Sequence, residues 1–179
     1  ARAAIETGAQ WIGIAQATEA LTVVREVPVP RAFTWIYGQH EDLSPVVAAG
    51  IQIGVSTPSQ AAQVAAAAAK AGTTARVHLK IDTGMARGGA RIEDWDTLIH
   101  DVLARRELAP VAVWSHLARA DEPELTTTAE QLELFERADT AATALGLGHH
   151  IRHLAASGGL MFHPATHLDL VRVGVAMYG

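Results

Sequence analysis

The run Val77-His78-Leu79-Lys80-Ile81-Asp82-Thr83-Gly84-Met85-Ala86-Arg87-Gly88-Gly89 brings a lysine, a carboxylate and an arginine close together in one stretch. Strand alternation would set Val77, Leu79 and Ile81 on one face and His78, Lys80 and Asp82 on the other. With the apolar face turned to helices, three ionisable groups point inward, and an enclosed lysine is costly unless it is paired or chemically altered. Two readings stay open on the residues alone. Lys80 and Asp82 form an ion pair that holds the loop, or they belong to a functional cluster. Arg87 follows on a glycine-bearing loop. Its guanidinium fork suits a carboxylate or a phosphate, and the plain alternative is a solvated surface arginine.

Three further stretches carry groups of the same kind. His116 stands in Trp114-Ser115-His116-Leu117-Ala118, ahead of the polar loop Arg119-Ala120-Asp121-Glu122-Pro123. A lone histidine there is more often structural than functional. In His153-Leu154-Ala155-Ala156-Ser157-Gly158-Gly159 a hydroxyl meets two glycines. That is either a turn, or a phosphate seat made of the hydroxyl and backbone N–H groups at a helix start. Arg172 and Gly174 share the inner face of Asp169-Leu170-Val171-Arg172-Val173-Gly174-Val175. His149, His150, His153, His163 and His167 invite a metal reading. However, Pro164 separates the one i, i+4 pair, His163 and His167, and no cysteine or carboxylate set completes a sphere, so no metal site is expected.

The elements that must position these groups alternate along the chain. Strands are expected at Trp11 to Ala15, Phe33 to Gly38, Ile51 to Ser56, Ala75 to Asp82, Pro110 to Ala118, His150 to Ser157 and Leu168 to Gly174. Amphipathic helices are expected at Ser59 to Ala71, Ile92 to Arg106 and Thr128 to Leu145. Thr57-Pro58-Ser59 starts the first of these helices and Gly72 stops it; Gly146 and Gly148 end the last. Short apolar strands alternating with helices predict an α/β fold with a parallel sheet, whose ligands lie at the carboxyl ends of the strands. About seven strands in so short a chain, which opens at Ala1 as if within a helix, predict a (β/α)8 TIM-type barrel lacking its first strand, helices outside. A doubly wound open sheet is the rival, but the Gly-rich first turn of a dinucleotide fold is absent.

Composition narrows the classes. The chain has 179 residues, a formal net charge of −5, 49% hydrophobic residues and no cysteine. A disulfide-stapled scaffold and a cysteine-ligated zinc site are thereby excluded. An acidic balance argues against nucleic acid, and no apolar run is long enough to cross a bilayer. Without a signal-like opening segment, the expected location is the cytoplasm.

Four motifs together resemble alanine racemase. His78-Leu79-Lys80-Ile81-Asp82-Thr83-Gly84-Met85-Ala86-Arg87 is similar to that family's K-x-D-T-G-M-x-R signature. Ser115-His116 with Ala120-Asp121-Glu122 resembles its histidine strand and acidic loop. His153 to Ser157 and Val171 to Gly179 resemble its last two barrel motifs. The resemblance implies a pyridoxal 5′-phosphate (PLP) enzyme, an isomerase interconverting L- and D-alanine for peptidoglycan, and a homodimer. By motif, Arg87 would hold the cofactor's phenolic oxygen and help place the substrate. Lys80, often carbamylated in relatives, would steady Arg87. His116 would contact the cofactor ring, and Ser157, Gly174 and Val175 would bind its phosphate. Arg172, oriented by His153, would face the pyridine nitrogen; an always-protonated arginine donates to it and leaves it without a proton.

There are departures as well. The family usually has Asn where Ala156 stands and Pro where Val173 stands. Its Schiff-base lysine and its tyrosine base match nothing here: the lysine would lie upstream of Ala1, the tyrosine in a β-rich C-terminal domain beyond Gly179. Residues 1–179 are therefore expected to be a partial PLP-binding barrel domain with no catalytic base of its own, inactive alone. The alternatives are a non-catalytic PLP-binding barrel protein and a racemase for another small amino acid such as serine.

Overall fold

A computed structural model describes Ala1–Gly179. Helices and strands alternate as α1 (Arg2–Glu6), β1 (Ile12–Gly13), α2 (Ala17–Glu26), β2 (Ala32–Thr34), α3 (Ser44–Ala48), β3 (Gln52–Val55), α4 (Pro58–Ala71), β4 (Ala75–Lys80), α5 (Trp95–Leu103), β5 (Leu108–Trp114), α6 (Thr127–Ala144), β6 (Ile151–His153) and α7 (Ser157–Phe162). The six strands are hydrogen-bonded in chain order. Parallel register sets Ile12 against Ala32, Phe33 against Gln52 and Trp114 against His153. A parallel sheet with helical connections is the expected α/β class.

The strand count corrects the sequence reading: there are six strands, not seven. The stretch Leu168 to Gly174 alternates like a strand but forms none. It runs beside β6 with two backbone bonds, Asp169 N–H to Arg152 O (3.1 Å) and Arg172 N–H to Ala155 O (2.9 Å). The Arg152 N–H, which a regular ladder would use, donates instead to the Asp169 carboxylate at 2.9 Å. Leu168 enters the stretch at φ +49°, a left-handed turn. Side-chain capture of one amide and a tight entry thus replace pairing.

The chain packs as two units. The first comprises Ala1–His78 and Asp101–Pro110. Its β3 is buried at every position, as expected of a strand covered on both faces. Helix α4 begins where the Thr57 hydroxyl accepts the Gln60 N–H at 3.2 Å and ends at Gly72, φ +67°. Ala61, Ala65 and Ala68 lie on its buried side, and small side chains there allow close approach. The buried polar pair of this unit is His78 Nε2 and Gln52 Oε1, 2.8 Å apart, with the imidazole stacked on Phe33 at 4.2 Å.

The second unit comprises Leu79–His100 and Val111–Gly179 and contains every candidate site residue. Leu79, Ile81, Val113 and Leu154 are fully buried in its core. Helix α6 presents Gln131, Phe135, Ala138 and Ala142 inward at helical spacing. The Trp95 indole N–H donates to Ala138 O at 2.8 Å, so α5 and α6 are joined by a satisfied buried donor as well as by apolar contact.

Candidate active site

Lys80 ends β4, half-buried, and no ion pair joins it to Asp82. The Asp82 carboxylate instead accepts the N–H groups of Gly84 (2.9 Å) and Ala86 (3.1 Å). The loop is closed by backbone bonds, Asp82 N–H to Ala90 O and Ala90 N–H to Lys80 O, both 2.8 Å. Gly89 makes that return possible: it sits at φ +132°, and a Cβ there would lie 2.6 Å from Asp82 N. Lys80 is therefore not needed to hold the loop. Its Nζ lies 4.7 Å from the centroid of the Trp114 ring, a cation–π contact. Burial, then the positive charges of Arg87 and Arg172, lowers its pKa, while Asp82 pulls the other way. Arg87 is exposed, with no carboxylate in ion-pair range.

Arg172 joins the exits of β5 and β6. One Nη1 hydrogen meets His153 Nδ1 at 2.9 Å, and Nη2 donates to Ser115 O (2.7 Å) and Leu154 O (2.9 Å). Arginine can only donate, so His153 Nδ1 is the acceptor and its proton sits on Nε2. His153 is buried and stacks on Trp114 with an interplanar angle of 7°. The Nε–H and the second Nη1 hydrogen of Arg172 remain available to a ligand. Burial lowers the Arg172 pKa to about 9, which still leaves it a cation at neutral pH. His116 Nδ1 lies 3.3 Å from Arg172 Nη2. Burial, then the charges of Arg172, Arg87 and Lys80, pushes its pKa down to about 4, so the ring is neutral at pH 7.

Ser157 opens α7, buried. Its hydroxyl oxygen accepts the N–H groups of Gly174 (3.0 Å) and Ala176 (3.2 Å), which leaves its hydrogen to donate outward. Val175, between them, starts a 3-10 turn. The two glycines after Ser157 are set by packing. A Cβ on Gly158 would lie 2.9 Å from Ala120 C, and one on Gly159 2.9 Å from the Ala155 Cβ. Lys80, His116, His153 and Arg172 are thus linked through Trp114 and Arg172, Ser157 and Gly174 are bonded to each other, and Arg87 adds its charge to the first group.

Two residues escaped the sequence reading. Trp114 passes for an apolar strand residue, although its ring meets Lys80, Arg172 and His153. Gln131 lies in a helix, but it interrupts the buried stripe of α6 with an amide, a signal that could have been found. Of the histidines weighed for metal binding, His150 meets Asp139 and Gly148 O, His153 meets Arg172 and His167 meets Leu160 O, while the buried Nε2 of His163 has no hydrogen-bond partner. No group of three metal-capable side chains assembles.

The family model described as alanine racemase, N-terminal domain, matches residues 1–179. An alanine racemase of Beutenbergia cavernae is 42% identical over 182 residues, covering 100% of this chain and 48% of that protein. The crystal structure of alanine racemase from D-cycloserine-producing Streptomyces lavendulae superposes with a TM-score of 0.95 at 37% identity, covering 99% of this chain and 47% of that one. The alanine racemase of Bartonella henselae with covalently bound pyridoxal phosphate shares the fold, with a TM-score of 0.86 at 23% identity over 99% of this chain and 51% of that one. The chain spans about half the length of these relatives. With a family model matched from end to end and a relative more than a third identical throughout, this chain belongs to the alanine racemase N-terminal domain family.

Proposed function

We propose that residues 1–179 form most of the PLP-binding barrel of an alanine racemase, and that the full-length protein interconverts L- and D-alanine in the cytoplasm as a homodimer. The observation that carries this reading is Arg172: anchored by His153, Ser115 O and Leu154 O, it keeps N–H donors in reserve two residues before the Ser157–Gly174 hydroxyl–amide cradle. The donor set fits an anionic, aromatic cofactor. Lys80, Arg87 and Arg172 form a cationic cluster in which no carboxylate is ion-paired, and His116 is held neutral beside them.

In this reading the Ser157 hydroxyl and the Val175 N–H hold the phosphate, and Gly174, whose own N–H is given to Ser157 Oγ, sets that hydroxyl to donate. Arg172 donates to the pyridine nitrogen, and His153 keeps the guanidinium oriented. Neutral His116 lies against the ring without competing for negative charge. Arg87 reaches the phenolic oxygen and the substrate carboxylate with its fork. Lys80 steadies Arg87, and carbamylation would turn its costly half-buried cation into an anion. When bound, PLP withdraws electrons from the substrate α-carbon, so that its proton can be removed and returned. The two bases that would move that proton, a Schiff-base lysine on a first barrel strand and a tyrosine of a C-terminal β domain, match no residue in 1–179.

The test is D-alanine formation from L-alanine by the full-length protein with PLP, followed by chiral chromatography. Absence of D-alanine overturns the reading, and a retained cofactor without turnover selects a PLP carrier instead. Faster turnover of L-serine would reassign the substrate. Residues 1–179 alone should give no turnover, and turnover there would refute the missing-base argument. Arg87→Ala should lower full-length activity; wild-type kinetics would remove Arg87 from the site.

A further inference from the structure

The hydrogen-bond ladder between β4 and β5 stops at Ile81 N–H to Trp114 O, 3.0 Å. Beyond that point the two strand exits are joined by side chains. The Thr83 and Ser115 hydroxyls lie 2.9 Å apart. Gln131, only 3% exposed, reaches from α6 into the same place. Its Oε1 accepts the Ala118 N–H at 2.9 Å, and its Nε2 donates to Thr83 Oγ1 at 3.0 Å and His116 O at 3.3 Å. One amide thereby bonds the loop that carries Arg87 and the segment that carries His116. Phe135 and Ala138 are buried on the same face of α6. A buried amide with all these bonds made is rigid, because breaking any of them strands a donor or acceptor away from water.

We infer that Gln131 is a positioning residue: its amide clamps the Arg87 loop to the His116 segment and sets the spacing of the groups they present. The link itself is independent of any ligand; its consequence for catalysis rests on the racemase reading. A carboxylate at this position accepts the Ala118 N–H but repels His116 O, and a methionine fills the space with no bonds at all. Neither keeps the clamp.

The experiment compares full-length wild type, Gln131→Met, Gln131→Glu and Phe135→Leu, the last a packing control one helical turn away. Amide hydrogen exchange without cofactor reads the clamp directly. Gln131→Met should speed exchange at Ala118 and across residues 83–89 about tenfold. Thr83→Val should add little on the Gln131→Met background. With PLP bound, Gln131→Met should raise the cofactor Kd and the alanine KM, lowering kcat/KM about tenfold to a hundredfold, since small misplacements near a reacting centre have effects of that order. Phe135→Leu should lower Tm with Kd and KM unchanged. Unchanged exchange in Gln131→Met overturns the clamp, as does a Phe135→Leu control that moves Kd and KM equally at matched loss of Tm. Failure of the wild type to bind PLP or racemise alanine would overturn the functional reading, while the exchange result still decides the clamp.

Discussion

Two charged clusters lie in the same unit of the chain and use the same residue types to opposite ends. Around β6, Arg152 binds Asp169 at 3.0 Å, and Asp139 meets His150 at 2.6 Å and Arg152 at 3.9 Å. The arginine there faces two carboxylates, and the imidazole beside it hydrogen-bonds one of them. At the strand exits, Lys80, Arg87 and Arg172 gather around His116, and the acceptors of Arg172 are carbonyls and an imidazole. The nearby carboxylate, Asp82, is occupied with loop N–H groups. Charges that cancel internally stabilise a fold and ask for nothing more. Charges left uncancelled at a half-buried place cost stability and are repaid only by an anionic ligand.

The largest expected break in this contrast is Arg172→Ala. Cofactor affinity of the full-length protein should fall about a hundredfold by equilibrium dialysis, the ~3 kcal/mol of a charge-assisted hydrogen bond. Arg172→Lys should not rescue it, because an ammonium has no fork to span His153, Ser115 O and Leu154 O. Next in size is the loop bearing Arg87. Gly89→Ala forces a Cβ against the Asp82 backbone at positive φ and should destabilise by about 3 kcal/mol in urea unfolding. Gly148→Ala, beside His150 with open space around it, should cost about 1 kcal/mol for its φ of +67° alone.

A pH titration of stability separates the clusters further. The His116 pKa falls from 6.5 unfolded to about 4 folded, so the unfolded chain binds more protons between those values. Its contribution is therefore present above pH 6.5 and lost as pH drops towards 4, and His116→Gln should flatten that part of the curve. Asp169 is shifted below its ordinary 3.8 by Arg152, so its contribution holds above 3.8 and disappears only in stronger acid. The smallest effect belongs to Arg152→Ala, at most about 1 kcal/mol for a partly exposed pair, with cofactor affinity unchanged. A cofactor defect in that variant would erase the distinction between the clusters.

Alternation along β4 was enough to put Val77, Leu79 and Ile81 together on a fully buried face, and Thr57-Pro58 with Gly72 was enough to bound α4. Local chemistry decides those features. Leu168 to Gly174 misled because alternation shows which face a residue takes, not whether its amide finds a partner. There Asp169, in contact with Arg152 from an earlier strand, took the amide. Trp114 and Gln131 were hidden for a related reason. Their roles depend on what lies opposite them, and a tryptophan in a strand or a glutamine in a helix looks ordinary until Lys80, Arg172 or Thr83 is brought alongside. The ion pair considered for Lys80 and Asp82 was equally undecidable from spacing, since the Gly84 N–H is as near in the chain as Lys80 and the loop turns the Ala86 N–H back to the same carboxylate.

Trp114 gives this cluster an optical consequence. Of the four tryptophans, it is the one whose ring is met by both Lys80 and Arg172. Indole fluorescence shifts with the electric field along the ring, so anything that draws either cation away or neutralises it should change the emission of this residue. The protein therefore carries a native reporter of the state of those two cations, readable in a cuvette without any label.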